Sequence, residues 1–178
     1  GIDLSKSVVQ CHGVNAAGQC IYRKRLTKTK LIEFVSNIPN CTIVVEACGS
    51  AHFFARKFQQ LGHEAKLIAP QYVKPFVKSN KDDAADAEAI VEAASRPTMP
   101  YVPIKQMWQQ DLQSIHRVRQ RLNRSKTALT NEIRGLLYEY GIVIQKGDSA
   151  LMLRLSQLLA EDNETISDIL KSVMQDLL

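Results

Sequence analysis

The sequence predicts an α/β fold in which a mixed five-stranded sheet with helices is followed by an α-helical coiled-coil hairpin. Two observations predict it. The first 70 residues alternate strand and helix patterns in the order β-β-β-α-β-α-β, and beyond residue 106 apolar side chains recur every three or four positions. Three consecutive strands followed by alternating helices favour an antiparallel hairpin portion joined to parallel strands.

The first three strands make up the hairpin portion. Ile2–Leu4 reads as the end of an apolar strand. Two β-prone runs follow, Val8–Val14 and residues 20–26, and they flank a turn-type segment at residues 15–18. This arrangement predicts a β-hairpin.

Helices and buried strands then alternate. A helix, a β-branched strand, a second helix and a short apolar strand are predicted, in this order, at residues 31–38, 41–45, 51–61 and 65–69. Pro39 ends the first helix, Gly62 ends the second, and Pro70 closes the last strand.

The rest of the chain is predicted to be helical. An alanine-rich helix at Asp83–Ala94 precedes a linker at residues 95–103 that contains three prolines. A long helix at residues 106–140 carries a heptad-like seam, and a last helical region at 150–177 is interrupted near residues 162–163. The seam consists of Ile115, Val118, Leu122, Ser125, Leu129, Ile133, Leu136 and Tyr140. We therefore place a first domain at residues 1–100 and a helical coiled-coil region at 101–178.

Composition excludes several classes of protein. With 45% hydrophobic residues the chain is not disordered, and no apolar run approaches the roughly 18 residues of a membrane span. The start of the chain has no signal-peptide pattern, and four cysteines without a C-x-x-C pair predict reduced, buried, structural thiols. We expect a cytoplasmic protein without a membrane partner.

The net charge of +5 is unevenly distributed. Residues 101–147 hold eight basic and three acidic side chains, whereas residues 148–178 hold two and six. A basic segment beside an acidic one fits binding to a polyanion, and it equally fits two helices that attract each other.

Four carboxylates stand where a metal site could form. Asp3 lies within the first strand, Glu46 follows a buried strand, and Asp83 and Asp86 share one face of a helix. Carboxylates converging from separate elements are typical ligands of Mg²⁺ in phosphoryl transfer. Other roles stay open: Asp3 bonding to a turn, Glu46 capping the next helix, and the aspartate pair serving a helix N-terminus. Asp82 competes for either helical role.

Six basic side chains at helical spacing are candidate contacts to phosphate groups, with solvated surface as the alternative. They are Lys74, Lys78, Lys81, Arg117, Arg121 and Arg124.

Three ordered motifs carry a family resemblance. Residues 1–6 (GIDLSK), 44–49 (VVEACG) and 81–90 (KDDAADAEAI) together resemble the DEDD-type transposases of bacterial insertion sequences, a group that includes the Piv site-specific DNA invertases. Residues 70–74 (PQYVK) are similar to a further family segment. The resemblance extends over roughly residues 1–147.

The resemblance implies both a fold and an activity. It implies a ribonuclease-H-like fold of the RuvC type, with Mg²⁺ or Mn²⁺ held by the catalytic carboxylates of Asp3, Glu46, Asp83 and Asp86. It further implies DNA as substrate, cut and rejoined, and in some members a structured guide RNA. A homo-oligomer (dimer or tetramer) formed through the coiled coil and a nucleoid-associated bacterial location follow. The family's C-terminal domain, with its nucleophilic serine, is expected to be absent from this chain.

Two other functions remain open. One is a helical oligomerisation or nucleic-acid-binding module with an inert α/β body, which the heptad seam favours. The other is an actin-like ATPase or sugar-kinase fragment, since residues 1–3 followed by a hairpin also open those folds. Residues 4–7 lack the glycines that its phosphate turn requires.

Overall fold

A computed structural model describes residues 1–5, 7–77, 83–160 and 165–177, without the side chains of Asp83 and Ala84. The chain divides into two compact units, Gly1–Met107 and Trp108–Leu178. Each is described by itself.

The described residues of the first unit form a six-stranded mixed sheet with the strand order β3-β2-β1-β4-β5-β6. Antiparallel pairs join β1 to β2 and β2 to β3, parallel pairs join β1 to β4 and β4 to β5, and β6 is antiparallel to β5. The predicted combination of an antiparallel hairpin and parallel strands is confirmed. The strands are β1 (Ile2–Leu4), β2 (Val8–Val14), β3 (Cys20–Thr27), β4 (Thr42–Glu46), β5 (Glu64–Ile68) and β6 (Tyr101–Val102).

The sixth strand corrects the predicted count of five. It lies inside the segment predicted as a linker, between Pro100 and Pro103, and pairs Tyr101 with Ile68. Prolines are tolerated at the ends of an edge strand because the outer edge of such a strand needs no amide donors. Two of the prolines that suggested a linker, Pro100 and Pro103, therefore flank a very short edge strand.

Helices cover both faces of the sheet. They are α1 (Lys28–Ser36), α2 (Ala51–Gln60), α3 (Pro70–Val73), a 3₁₀ turn (Lys74–Phe76) and α4 (Asp83–Ala94). On one face, Leu31 and Val35 of α1 and the Phe54 and Phe58 rings of α2 pack on Ile2 and its strand neighbours. On the other face, α4 packs against Val44 and Ile68 through Ala89, Ile90 and Ala93. The parallel strands are therefore buried on both sides, as their continuous apolar runs predict.

The described residues of the second unit form helices α5 (Met107–Tyr138), α6 (Asp148–Ala160) and α7 (Asp168–Asp176). α5 ends at Tyr138, and the turn that follows it contains Gly141, whose φ of 73° is left-handed. The Ile142 amide donates to the Leu137 carbonyl at 3.0 Å. One core joins the three helices, formed by Ile133, Leu137, Leu151, Leu155, Leu158, Ile166, Leu170 and Met174.

The predicted coiled-coil hairpin is not supported. Only the later seam positions, Leu129, Ile133 and Leu136, belong to the three-helix core. The earlier ones are open, with Ile115 63% and Leu122 54% exposed. The apolar seam is thus divided between a packed end and an uncovered end of the same helix.

The cysteines differ from expectation in burial. All four are free, and Cys11 is buried as predicted, but Cys20 and Cys41 are exposed. Cys20 begins edge strand β3, whose outer positions meet solvent, and Cys41 precedes β4. Among the described helices, none is long and apolar enough to cross a membrane.

Candidate functional site

Strand register places Asp3 and Glu46 side by side. β1 and β4 are parallel neighbours, and Ile2 lies opposite Val45, so the next residue on each strand is Asp3 and Glu46. Ile2 and Val45 point into the core against α1 and α2, and alternation along a strand sends the two carboxylates to the opposite face. Because adjacent strands lie about 4.8 Å apart, the two backbones are close at this point.

Helix α4 brings Asp86 to the same face. The helix approaches the sheet closely because alanines form much of its buried side, with Ala89 and Ala93 at most 1% exposed. The approach is close enough at the start of β1 that a Cβ atom on Gly1 would clash with the Ala87 carbonyl oxygen. Small residues on both sides therefore hold the first turns of α4 against the carboxylate-bearing strands.

The three carboxylates interact electrostatically. Burial raises the pKa of Glu46 above its usual value, and the negative charges of Asp3 and Asp86 raise it further. Glu46 and Asp3 also contribute to a raised pKa at the Cys48 thiol, after burial as the main cause. In the described part of the chain no lysine, arginine or histidine forms an ion pair with Glu46 or Asp86. Glu46 and Asp86 therefore carry negative charge that no ion pair with the described residues neutralises.

Of the other two candidate carboxylates, Asp82 and Asp83, the structure describes only the backbone of Asp83. Asp83 begins α4 one turn before Asp86, and its side chain lies outside the description, as does all of Asp82. Among the described side chains, no group of three His, Cys, Asp or Glu residues is arranged to hold a metal ion. Residues three apart in a helix share a face, so the backbone places Asp83 next to Asp86.

The alternative role of Glu46, capping the helix that follows it, is not seen in the structure. Glu46 does not cap the following helix: it forms no hydrogen bond with the described residues, and the cap residue of α2 is Ser50. The chain leaves β4 through the Ala47 amide, which donates to the Ile68 carbonyl at 2.7 Å. This places Glu46 at the carboxyl end of a parallel strand, where ligands commonly bind in α/β sheets.

The predicted basic contacts are dispersed. Lys74 is exposed in the 3₁₀ turn, and Lys78 and Lys81 lie outside the described residues. Arg117, Arg121 and Arg124 are exposed along α5 in the second unit. All six stay predictions as phosphate contacts.

Sequence reasoning missed a polar row on the same face of the sheet. Gln10 lies opposite Asp3 on β2, and Arg25 lies opposite Gln10 on β3. A cavity of about 190 Å³ opens there, lined in part by Gln10, Arg23, Arg25 and Ala87. The run Arg23, Lys24, Arg25 was the available signal, but only the strand register shows which of these cations share a face with Asp3.

A larger cavity, of about 530 Å³, lies at the opposite ends of the strands. Cys41, Thr42 and Gly1 contribute to its lining, together with many apolar side chains. None of the predicted site residues that the structure describes lines it. The described carboxylates line neither cavity. The carboxylate face is the better candidate site because Asp3, Glu46 and Asp86 interact there.

The chain matches a known protein family over most of its length. A family model described as a transposase, DEDD_Tnp_IS110, matches residues 1–142. The chain belongs to this transposase family. The match includes the strands that carry Asp3 and Glu46 and the helix that carries Asp83 and Asp86. The predicted resemblance to DEDD-type insertion-sequence transposases is confirmed.

Curated relatives of the family align with almost the whole chain. A probable family 20 transposase of Pseudomonas aeruginosa is 47% identical over 178 residues, which are 99% of this chain and 53% of that protein. The transposase for insertion sequence element IS1111A of Coxiella burnetii is 41% identical over 177 residues, 99% of this chain and 49% of its own length. The transposase for insertion sequence element IS1328 of Yersinia enterocolitica is 44% identical over 161 residues, which are 90% of this chain and 48% of that protein. The chain spans about half the length of the curated relatives it matches.

Proposed function

We propose that this chain binds Mg²⁺, or Mn²⁺, through Asp3, Glu46, Asp83 and Asp86, and that this site serves DNA strand cleavage and joining. One observation carries the proposal. Two strands in register and one closely packed helix bring carboxylates to the same face, where Asp3 and Asp86 raise the pKa of Glu46.

The residues present fit a hard divalent cation. Mg²⁺ takes oxygen ligands, and this face offers carboxylate oxygens that are partly withdrawn from water. Like charges held close together repel one another, as the raised pKa of Glu46 reflects, and a divalent ion relieves that repulsion. When bound, the metal supplies Lewis-acid polarisation of a phosphodiester.

The chain's own residues provide rigid positioning. Asp3 and Glu46 are fixed by strand pairing, and Asp86 is fixed by the packing of α4 on the sheet. A site built on paired strands and a packed helix holds its ligands more precisely than one built on loops. Lys74, Lys78 and Lys81 precede the helix and would hold the DNA backbone near this face.

The same proposal extends to the whole protein. We assign the sheet to the ribonuclease-H-like, RuvC-type fold, supported by its antiparallel hairpin and parallel strands. Recombination at defined sites, a serine nucleophile in another part of the full-length transposase, a structured guide RNA and a nucleoid location belong to it as family expectations. Arg117, Arg121 and Arg124 on α5 are proposed as further contacts to the nucleic-acid backbone.

Calorimetric titration with Mg²⁺ and Mn²⁺ tests the metal site. We expect Asp86→Asn to weaken binding by at least about tenfold, the loss that even a supporting group of a metal site produces. Glu33→Gln is the matched control, because Glu33 is an exposed acid of α1 on the opposite face of the sheet. Equal affinities of the two variants would contradict the proposal.

A second function is favoured by the uncovered end of α5. Ile115, Val118 and Leu122 are each at least half exposed and lie on one side of the helix. We propose that they associate with a second copy of the chain, which would give the expected homo-oligomer. Light scattering after chromatography tests this: replacing all three by glutamine should give the monomer mass, while Met152→Gln, which replaces an exposed side chain of α6, should leave the oligomer unchanged. An unchanged mass in the triple variant would refute it.

Neither the family match nor the described structure favours the ATPase or sugar-kinase alternative.

A further inference from the structure

A cross-strand row links the carboxylates to the edge of the sheet. Glu46, Asp3, Gln10 and Arg25 occupy successive strands in the order β4, β1, β2 and β3, each opposite the next. Residues directly opposite in neighbouring strands project from the same face. Arg25 is two strands from Asp3, so its backbone is roughly 10 Å away, which is within reach of one substrate strand.

Contacts of the neighbouring residues establish which way the β3 side chains point. Arg23 donates to Glu88 of α4 at 2.7 Å, whereas the Lys24 ammonium lies 4.6 Å from the centre of the Phe34 ring of α1. Since alternate strand residues share a face, Arg25 projects with Arg23 toward the α4 side. Arg25 therefore shares the carboxylate face, and Lys24 does not.

Arg25 differs from Arg23 in having no ion-pair partner among the described residues. The charge of Arg23 is paired with Glu88, but Arg25 forms no ion pair or hydrogen bond with the part of the chain that the structure describes. Both line the cavity of about 190 Å³ together with Gln10 and Ala87, and Ala87 directly follows Asp86 in α4. Lys24 also borders this cavity, but its ammonium lies at the Phe34 ring on the other face. A guanidinium without an ion pair to the described residues thus borders this cavity, on the face of the sheet that carries Asp3 and Glu46.

We infer that Arg25, assisted by Gln10, binds a backbone phosphate of the DNA strand whose reacting phosphate lies at the carboxylates. The inference rests on the proposed function and adds to it a residue that orients the substrate across the sheet. The guanidinium matches a phosphate through two parallel hydrogen bonds, and the Gln10 amide supplies a further donor. With Arg25 at one end of the row and the carboxylates at the other, the DNA strand lies across β2.

The experiment measures binding of a fluorescent single-stranded DNA by anisotropy across a salt series, with wild-type chain, Arg25→Gln and Lys24→Gln. Both variants lose one positive charge from the same strand, but from opposite faces. We expect Arg25→Gln to weaken binding about tenfold, as expected for a hydrogen bond to a charged group. Its slope of log affinity against log salt should be shallower by roughly 0.7, which corresponds to one phosphate on a single strand. Lys24→Gln should behave as wild type.

The outcomes separate this inference from the proposed function. Calorimetry of the same proteins should show Mg²⁺ affinity unchanged in Arg25→Gln, and thermal unfolding should show that all three are folded. If wild type binds DNA and Mg²⁺ and the two variants match each other, the inference about Arg25 is overturned and the proposed function stands. If wild type binds neither, both are overturned. An effect of Arg25→Gln on an RNA of the same sequence but not on DNA would overturn the assignment to the DNA strand.

Discussion

Substituting Ala89 by leucine tests whether the close packing of α4 matters for the carboxylate site. Ala89 is 1% exposed and packs in the cluster that contains Val44 and Ile68, so a leucine adds three carbon atoms where the sheet leaves no room. Overpacking of this kind costs about 1–3 kcal/mol, and each kcal/mol lowers the melting temperature of a unit this size by about 4–8 °C. The helix must move outward, and Asp86 moves with it.

The assay compares two buried alanines on opposite faces of the sheet. Ala55 of α2 is also fully buried, but it packs on the face opposite the carboxylates. We expect Ala89→Leu and Ala55→Leu to lose similar thermal stability, while only Ala89→Leu loses Mg²⁺ affinity, by about tenfold in calorimetry below both melting temperatures. Equal Mg²⁺ affinities in the two variants would refute the claim that α4 positions a ligand.

Three further predictions concern pH dependence and the second unit. Because the pKa of Glu46 is raised, its contribution to stability is complete below its usual value of 4.5 and is lost as pH rises through the folded value. Urea unfolding in EDTA should therefore show Glu46→Gln gaining stability over wild type between about pH 4 and pH 7, and a constant difference would contradict this. Leu155→Ala should destabilise the three-helix core by about 2–5 kcal/mol, visible as faster hydrogen exchange in α6, with Mg²⁺ affinity unchanged. Ser167→Ala removes the oxygen that accepts from the Leu170 amide at 3.2 Å and should cost about 1 kcal/mol in urea unfolding, whereas the neighbouring exposed Ile169→Ala should cost less.

The first unit was largely predictable because its signals are local. The β-prone runs around residues 15–18, the β-branched run before Glu46 and the alanine-rich helix at Asp83–Ala94 each follow from neighbouring residues. β6 was missed because two residues between prolines carry too little pattern to distinguish an edge strand from a linker.

Long-range placement could be predicted only in part. Asp3 and Glu46 were predictable as partners because both belong to parallel strands, whose carboxyl ends meet at one edge. Arg25 was not, because its position beside Gln10 and Asp3 depends on the register of two antiparallel pairs, which composition does not determine. The heptad seam predicted a helix correctly, yet periodicity alone could not show that Ile133 is buried while Ile115 stays exposed.

Carboxylates from two strands and one helix are proposed to hold a divalent cation. Anomalous diffraction from a crystal soaked in Mn²⁺ tests it most directly, because Mn²⁺ substitutes for Mg²⁺ at oxygen sites and can be located by its scattering. We expect a Mn²⁺ peak on the α4 face, bound by oxygens of Asp3 and Glu46 and by an aspartate of α4. A Mn²⁺ peak elsewhere, with none in contact with Asp3 and Glu46, would contradict it.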